Sequence, residues 1–259
     1  MTKRKTIVDI KNLKNKEKIT ALTCYSFFNA KILDLSKIDL VLIGDSLGNV
    51  ILGYEDTLAV EVEDIIYHAR VVQRGNKTSL LVADMPFMSY QATITDALKN
   101  AGDLVKYGKV NAVKLEGGVA ICDKVRAIIE IGIPVIGHLG LTPQSVNAMG
   151  GYKIQAKKEK EQKKLIEDAL ALQKAGAFAI VLECIPSDLA ANVTKHLDIP
   201  TIGIGAGKCC DGQILVLEDM LGLNFEKPNS FVKEYSKGKE LFLDAVKNYA
   251  RDVKGLKFP

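Results

Sequence analysis

Eight short apolar segments recur along this chain, and most of them are followed by a helical pattern. They cover Ile19–Cys24, Leu40–Gly44, Ser79–Ala83, Ala112–Leu115, Pro134–Gly137, Ala179–Leu182, Thr201–Ile204 and Ile214–Leu217. Most are continuous apolar runs, as expected of strands buried on both faces. Strands that alternate with helices favour a parallel sheet with right-handed crossovers. Eight such units in 259 residues predict a (β/α)8 TIM barrel, with an open doubly wound sheet as the alternative.

The segments between the strands carry helical apolar spacing and helix-terminating residues. Thr93 is a candidate N-cap for a helix that Gly108 ends, and another helix is expected to stop at Gly176. A short N-terminal helix over residues 6–14 precedes the first strand. A long C-terminal helix is predicted from Ser230 to Val253, with Leu241 and Tyr249 among its expected buried positions.

Composition narrows the class of protein. The chain is 47% hydrophobic and 25% charged, and no linker rich in Pro, Gly or Ser divides it, so one catalytic domain over residues 1–259 is predicted. No apolar run approaches the roughly 18 residues of a membrane span, and a charged segment follows the basic N-terminus where a signal peptide needs apolar residues. The cytoplasm is therefore the expected compartment.

Charge and cysteine content argue against two kinds of binding site. A net charge of +4 argues against a nucleic-acid partner. The five cysteines include no C-x-x-C pair, so the spacing of a zinc site is missing.

Polar residues cluster where the predicted strands end, which is where barrel enzymes place their catalytic groups. In strand order they are Asp45, Asp84, Lys114, Glu116, His138 and Glu183. Because crowded carboxylates cannot all stay ionised without a cation, the cluster predicts a divalent metal with oxygen ligands, Mg²⁺ above all. Glu183 is the candidate general base and His138 a second acid/base candidate. The alternatives are helix-capping or lysine-paired acids and a histidine satisfied within the core.

Two short motifs suggest other chemistries. Residues 44–48 read Gly-Asp-Ser-Leu-Gly, which fits an esterase nucleophile at Ser46, although no histidine has an aspartate three residues before it. A triad built from His138 stays open. Residues 203–207 read Gly-Ile-Gly-Ala-Gly, but they follow the seventh strand, whereas a dinucleotide fingerprint follows the first. A close backbone approach to some ligand is the preferred interpretation of these glycines.

Seven segments, in order, resemble the ketopantoate hydroxymethyltransferase family. They are Leu-Ile-Gly-Asp-Ser-Leu-Gly at 42–48, Ala-Asp-Met-Pro-Phe-Met at 83–88, Val-Lys-Leu-Glu-Gly-Gly at 113–118, Gly-His-Leu-Gly-Leu-Thr-Pro-Gln-Ser-Val-Asn at 137–147, Gly-Gly-Tyr-Lys at 150–153, Leu-Glu-Cys at 182–184, and Ile-Gly-Ile-Gly-Ala-Gly at 202–207 with Asp-Gly-Gln at 211–213. The run His-Leu-Gly-Leu-Thr-Pro-Gln is the most specific of them. The resemblance extends over most of the chain, from about Thr20 to Gly222.

This resemblance implies a Mg²⁺-dependent transfer of a hydroxymethyl group from 5,10-methylenetetrahydrofolate to 3-methyl-2-oxobutanoate, giving 2-dehydropantoate for pantothenate synthesis through a metal-stabilised enolate. It implies Asp45, Asp84 and Glu116 as metal ligands and Glu183 as the proton acceptor. It implies that Asp45, Ser46, Asp84 and Lys114 bind the oxo acid. It also implies a homo-oligomer, often a decamer. The residues themselves agree with metal-assisted proton abstraction next to a carbonyl.

Two other functions remain as alternatives. A Mg²⁺-dependent lyase of the isocitrate-lyase type shares the barrel and the enolate, but its usual Lys-Lys-Cys-Gly-His-like loop is missing here. A lysine-rich interaction scaffold without activity would require the acid cluster to be accidental.

Overall fold

The strands of the computed structural model, which describes residues 3–225 and 228–258, close into one parallel barrel. They are β1 (Ile19–Thr23), β2 (Leu40–Ile43), β3 (Leu80–Asp84), β4 (Ala112–Glu116), β5 (Val135–Gly140), β6 (Ala179–Glu183), β7 (Thr201–Ile204) and β8 (Gly212–Leu215). They follow one another around the barrel in chain order, which confirms the predicted TIM barrel and excludes the open sheet.

Helices connect the strands and extend both ends of the chain. They are α1 (Ile7–Leu13), α2 (Phe27–Leu35), α3 (Leu47–Val50), α4 (Val62–Gly75), α5 (Ile94–Gly108), α6 (Cys122–Glu130), α7 (Val146–Met149), α8 (Glu159–Ala175), α9 (Ser187–His196), α10 (Leu217–Met220) and α11 (Gly238–Lys254). Thr93 caps α5 by accepting a hydrogen bond from the Asp96 N–H, and Gly176 ends α8 in the left-handed conformation, as predicted. None of these helices is both long and apolar enough to cross a bilayer.

The last strand starts two residues earlier than the sequence predicts. It covers Gly212–Leu215 rather than Ile214–Leu217, because Leu217 already begins α10. Gly212 carries no side chain, and a Cβ there would lie 2.6 Å from the Ile19 carbonyl oxygen. The apolar pattern did not predict this start, because the strand begins with a glycine that lies close to the β1 backbone.

The C-terminal helix is shorter than predicted. It begins at Gly238 rather than Ser230, because the backbone N–H groups of Tyr235 and Gly238 donate to carbonyls of Met220 and Leu221 instead of joining a helical ladder. The expectation that Leu241 and Tyr249 are buried is wrong, since they are 67% and 58% exposed.

The chain groups into two compact units, Met1–Ile214 and Leu215–Pro259. One domain over residues 1–259 therefore stays a prediction.

Strand alternation decides which side chains point into the barrel. Leu40, Leu42, Leu80, Val82 and Ala112 belong to one buried cluster, as do Ile136, Ala179, Val181, Ile202 and Ile214. Within a strand, every second residue faces the same side. The positions two residues beyond Val82, Ile136 and Val181 therefore also point inward, at the carboxyl end of the barrel. The core thus leads directly into the polar mouth described below.

Candidate active site

The strand register gathers the predicted polar residues at one end of the barrel. Asp84 of β3 lies opposite Lys114 of β4, and Glu116 lies opposite His138 of β5. Glu183, the last residue of β6, lies opposite Gly140. All of these side chains except that of Glu183 are almost fully buried. Residues from four strands thus meet at the mouth, as the sequence predicts.

Asp45 joins this group from the loop that follows β2. Its backbone N–H donates to Asp84 Oδ2 at 2.9 Å, which joins this loop to the end of β3. Burial raises the pKa of Asp45 well above its usual value, and the charges of Asp84 and Glu116 raise it further. Burial also raises the pKa of Asp84, even though the Lys114 ammonium opposes the shift. Both carboxyl groups are therefore harder to ionise than a solvent-exposed aspartate.

Lys114 is the buried cation at the centre of the cluster. Its Nζ lies 3.0 Å from Asp84 Oδ1 and 3.6 Å from Glu116 Oε1. Burial alone would lower the pKa of Lys114, but the carboxylates of Asp84, Glu116 and Asp45 outweigh it and raise the pKa above its ordinary value. Lys114 therefore stays charged at neutral pH. The Lys114 ammonium thus contacts two carboxylates and is stabilised by the charge of a third.

His138 connects the buried cluster to Glu183. Its Nδ1 lies 3.1 Å from both Glu116 Oε1 and Lys114 Nζ, and its Nε2 lies 3.2 Å from Glu183 Oε2. Burial and the Lys114 charge oppose protonation, but Glu116 and Glu183 prevail and raise the pKa of His138 to about 9. A protonated ring directs one N–H toward each carboxylate. The contact with Glu183 has the distance of a hydrogen bond but not its alignment, so Nε2 has no hydrogen-bond partner.

Two residues that the sequence did not single out complete the site. Gln144 lies just beyond β5, and its amide and backbone contact Asp45 and Glu116. Tyr90 Oη accepts from the Glu116 N–H at 3.0 Å and lies 2.9 Å from Gln144 Oε1. Gln144 ends the run His-Leu-Gly-Leu-Thr-Pro-Gln, the most specific segment of the family resemblance, and this was the one sequence feature that pointed to it. For Tyr90 there was none, because only the fold brings it to Glu116.

The structure places Ser46 beside the cluster but not within a nucleophile triad. Its Oγ lies 2.7 Å from Tyr25 Oη, whereas both nitrogens of His138 face carboxylates. A serine nucleophile needs a histidine within hydrogen-bonding reach. The arrangement therefore disfavours the esterase interpretation of residues 44–48.

The glycines at residues 203–207 allow the chain to approach itself closely. A Cβ on Gly207 would lie 2.5 Å from Ser187 Cβ, and one on Gly203 would lie 3.0 Å from Cys210 Sγ. Packing against α9 and the following loop accounts for both positions without a bound nucleotide.

The donor set at the mouth fits a hard divalent cation. Within residues 3–225 and 228–258, no three acidic, histidine or cysteine side chains lie close enough to enclose a metal ion. The Lys114 ammonium lies between Asp84 and Glu116 instead. Even so, Asp84 Oδ1 makes no aligned hydrogen bond. Burial and neighbouring carboxylates raise the pKa values of Asp45 and Asp84, so a bound cation would favour the ionised form of each. Carboxylate oxygens are ligands that Mg²⁺ prefers.

Gly140 sets the position of Glu183, and its replacement is expected to be costly. Gly140 has a φ of 95°, and a Cβ there would lie 2.1 Å from the Glu183 carbonyl oxygen. We expect Gly140→Ala to lower the free energy of unfolding by about 3 kcal/mol or more, because overlap adds to backbone strain. Equilibrium unfolding in urea measures this loss.

Gly132→Ala provides the matched control. Gly132 has a similar φ of 90°, but no atom lies within 4 Å of an added Cβ. Only strain of about 1–2 kcal/mol is expected there. Equal losses in the two variants would show that contact with Glu183 plays no part.

Comparisons with known proteins agree on one family. The sequence profile of a family described as ketopantoate hydroxymethyltransferase matches residues 4–259. A 3-methyl-2-oxobutanoate hydroxymethyltransferase of Clostridium botulinum (strain Loch Maree / Type A3) is 53% identical over 257 residues, which cover 99% of this chain and 94% of the relative. One of Enterococcus faecalis is 54% identical over 243 residues, covering 94% and 88% of the two chains.

Solved structures with the same barrel are much more distant in sequence. A phosphonopyruvate hydrolase in complex with oxalate and Mg²⁺ superposes with a TM-score of 0.66 at 13% identity, covering 98% of this chain and 88% of the other. A 2,3-dimethylmalate lyase of the PEP mutase/isocitrate lyase superfamily superposes with a TM-score of 0.64 at 15% identity, covering 95% and 88%. At such low identity these structures bear on the fold alone.

Proposed function

The chain belongs to the ketopantoate hydroxymethyltransferase family, and we propose that it transfers a hydroxymethyl group from 5,10-methylenetetrahydrofolate to 3-methyl-2-oxobutanoate, giving 2-dehydropantoate. The observation that carries this proposal is the division of the acids at the mouth. Asp45, Asp84 and Glu116 are buried around Lys114, while Glu183 stands apart with its side chain 15% exposed. A charge-binding centre beside a separate, accessible base suits proton abstraction next to a carbonyl.

Asp45, Asp84 and Glu116 would hold a Mg²⁺ ion. The cation would supply positive charge that makes the C3 proton of the oxo acid more acidic and stabilises the enolate. Asp45 and Asp84 suit this task because burial and neighbouring carboxylates disfavour their ionisation, and a bound cation would offset that cost.

Lys114 and Ser46 would bind the oxo acid. Lys114 stays charged and buried, so its ammonium can attract the substrate carboxylate in surroundings that screen charge weakly. Ser46, bonded to Tyr25 Oη, can turn its hydroxyl toward a bound oxygen. Asp45 and Asp84, which would also hold the metal, would bind the same substrate.

Glu183 would take the C3 proton of the oxo acid. Its carboxylate is the most accessible acid of the cluster, and its Oε2 lies 3.2 Å from His138 Nε2. His138 is the second acid/base candidate. Because the pKa of His138 is raised to about 9, its ring is protonated at neutral pH and acts as an acid rather than a base.

The enolate carbon would then attack the methylene carbon of the folate. A bond forms between C3 and that carbon, and both of its bonds to folate nitrogens break. Water supplies the hydroxyl group, and the C3 proton and a water proton end on the two nitrogens. The folate thus supplies the electrophile, while the chain supplies orientation and proton transfer.

The proposed function also implies partners, an oligomeric state and a compartment. The oxo acid and the folate are the small-molecule partners, neither nucleic acid nor a membrane takes part, and the working form is a homo-oligomer of this chain. The cytoplasm is the proposed compartment, in keeping with the thiols of Cys122, Cys184 and Cys209, which form no disulfide.

A coupled product assay tests the proposal. Purified protein with Mg²⁺, 3-methyl-2-oxobutanoate and 5,10-methylenetetrahydrofolate is expected to form 2-dehydropantoate, detected by mass spectrometry. Without folate, the protein should still exchange the C3 proton of the oxo acid in D₂O. Neither product nor exchange in the presence of Mg²⁺ would refute the function. Cleavage of a 2-hydroxy or malate-type acid instead would favour the lyase alternative.

A further inference from the structure

Gln144 uses every hydrogen-bonding position of its side chain at the mouth of the barrel. The residue is only 5% exposed and lies in a short turn, Pro143–Ser145, directly after β5. Its Nε2 donates to Asp45 Oδ2 at 2.8 Å and to the Met85 carbonyl at 2.9 Å. Its Oε1 accepts from Tyr90 Oη at 2.9 Å and from Gln91 Nε2 at 3.0 Å. An amide has two donors and two acceptor sites, and all four are occupied.

The chemistry of these partners allows one orientation of the amide. The Met85 carbonyl has no hydrogen to donate, so the amide nitrogen must face it. The second amide hydrogen then points at Asp45 Oδ2, 2.8 Å away. Tyr90 and Gln91 can both donate to the oxygen on the other side. The Gln144 amide nitrogen therefore faces Asp45, and its hydrogen bond restrains the orientation of the Asp45 carboxyl group.

The same residue also holds a second carboxylate. The backbone N–H of Gln144 donates to Glu116 Oε2 at 3.0 Å. Asp45 follows β2 and Glu116 ends β4, so one residue after β5 sets the relative position of acids from two other strands. Asp45 needs such a support because it lies beyond its strand, where ladder hydrogen bonds no longer orient it.

We propose that Gln144 is a positioning residue, which presents the carboxylates of Asp45 and Glu116 in the arrangement that binds the divalent cation. This inference rests on the proposed function, because that function places the cation at these acids. Outer partners of metal ligands typically change metal affinity by about 10-fold to 100-fold when they are removed. In this role Gln144 would act through the two acids, which it contacts directly.

Binding of Mn²⁺ followed by electron paramagnetic resonance tests the inference without any turnover. Gln144→Met keeps the length of the side chain and the backbone N–H but removes the amide. We expect its dissociation constant for Mn²⁺ to rise about tenfold, which corresponds to about 1.4 kcal/mol. The Mg²⁺ concentration for half-maximal activity should rise in parallel, while kcat at saturating Mg²⁺ stays within a few-fold of the parent.

Gln173→Met is the matched control. Gln173 of α8 also joins an amide to an aspartate outside the site, donating to Asp198 Oδ2 at 3.1 Å and accepting from the Asp198 N–H at 2.7 Å. Neither Mn²⁺ affinity nor activity should change in this variant. Gln144→Asn is the second test variant, since it keeps an amide but withdraws it by one methylene group. It should also weaken Mn²⁺ binding.

The outcomes separate this inference from the function on which it rests. A parent that binds Mn²⁺ and forms product, together with folded Gln144 variants of parental Mn²⁺ affinity, overturns the role of Gln144 alone. A parent that binds no Mn²⁺ overturns the metal site and the inference together. If neither Gln144 variant folds, as judged by circular dichroism and thermal unfolding, Gln144 is a structural residue and the inference is overturned.

Discussion

Glu183→Gln is expected to slow exchange of the C3 proton of 3-methyl-2-oxobutanoate by about 10²-fold to 10⁴-fold, the usual contribution of a positioned general base. An amide has nearly the same shape as the carboxylate but cannot accept the proton. The fold should survive, because the side chain is partly exposed and its nearest charged partner is His138. Proton exchange in D₂O, followed by nuclear magnetic resonance with Mg²⁺ and without folate, measures this step apart from the transfer.

Glu159→Gln is the control for this change. Glu159 makes a surface ion pair with Lys163 at 2.8 Å, and its side chain is 81% exposed, so the same chemical substitution should leave exchange unchanged. Unchanged exchange in Glu183→Gln would show that Glu183 is not the base. Calorimetric titration with the oxo acid shows that a slow variant still binds its substrate.

Lys114→Met is expected to lower both stability and activity. Methionine retains the length of the chain but leaves Asp84 and Glu116 without the cation that lies 3.0 Å and 3.6 Å away. Removing one partner of a buried ion pair typically costs about 3–5 kcal/mol. We expect a loss near 3 kcal/mol in the free energy of unfolding at pH 7.5, and a fall in kcat/KM of about 10³-fold or more because the substrate loses a cation in surroundings that screen charge weakly.

The loss of stability should depend on pH and on added metal. Without the ammonium, the pKa values of Asp45 and Asp84 rise further, and Glu116 loses one of the charges that lower its pKa. The acids then bind protons more readily in the folded variant than in the folded parent. The difference between variant and parent should therefore narrow as the pH falls from 7.5 to 5, because protonation removes the negative charge that the variant leaves unpaired. Mg²⁺ should restore part of the stability, since a divalent cation also neutralises these carboxylates, but it should not restore activity.

Lys163→Met is the control for the loss of a lysine. Lys163 forms the exposed pair with Glu159, so its removal should change neither stability nor activity measurably. Urea unfolding at pH 7.5 and pH 5, with and without Mg²⁺, compares the two variants. A Lys114→Met protein as stable and active as Lys163→Met would show that the buried ammonium is not needed.

Much of the fold followed from local patterns in the chain. Continuous apolar runs predict the buried strands, and Thr93 and Gly176 mark helix ends through their own backbone preferences. Where a local pattern misled, a contact elsewhere in the chain was the cause. Gly212 starts the last strand because it must pass close to Ile19. The segment before Gly238 is not helical, because its N–H groups bond to Met220 and Leu221.

The sequence by itself determined which acids would meet, because parallel strands bring Asp45, Asp84, Glu116 and Glu183 to one end of any such barrel. Only the tertiary structure decided how they are held. His138 joins Glu116 to Glu183, Tyr90 supports the Glu116 backbone, and Gln144 reaches Asp45 across 99 positions of the chain. No propensity or spacing encodes these contacts, because each depends on the register of strands that meet only after the barrel has closed.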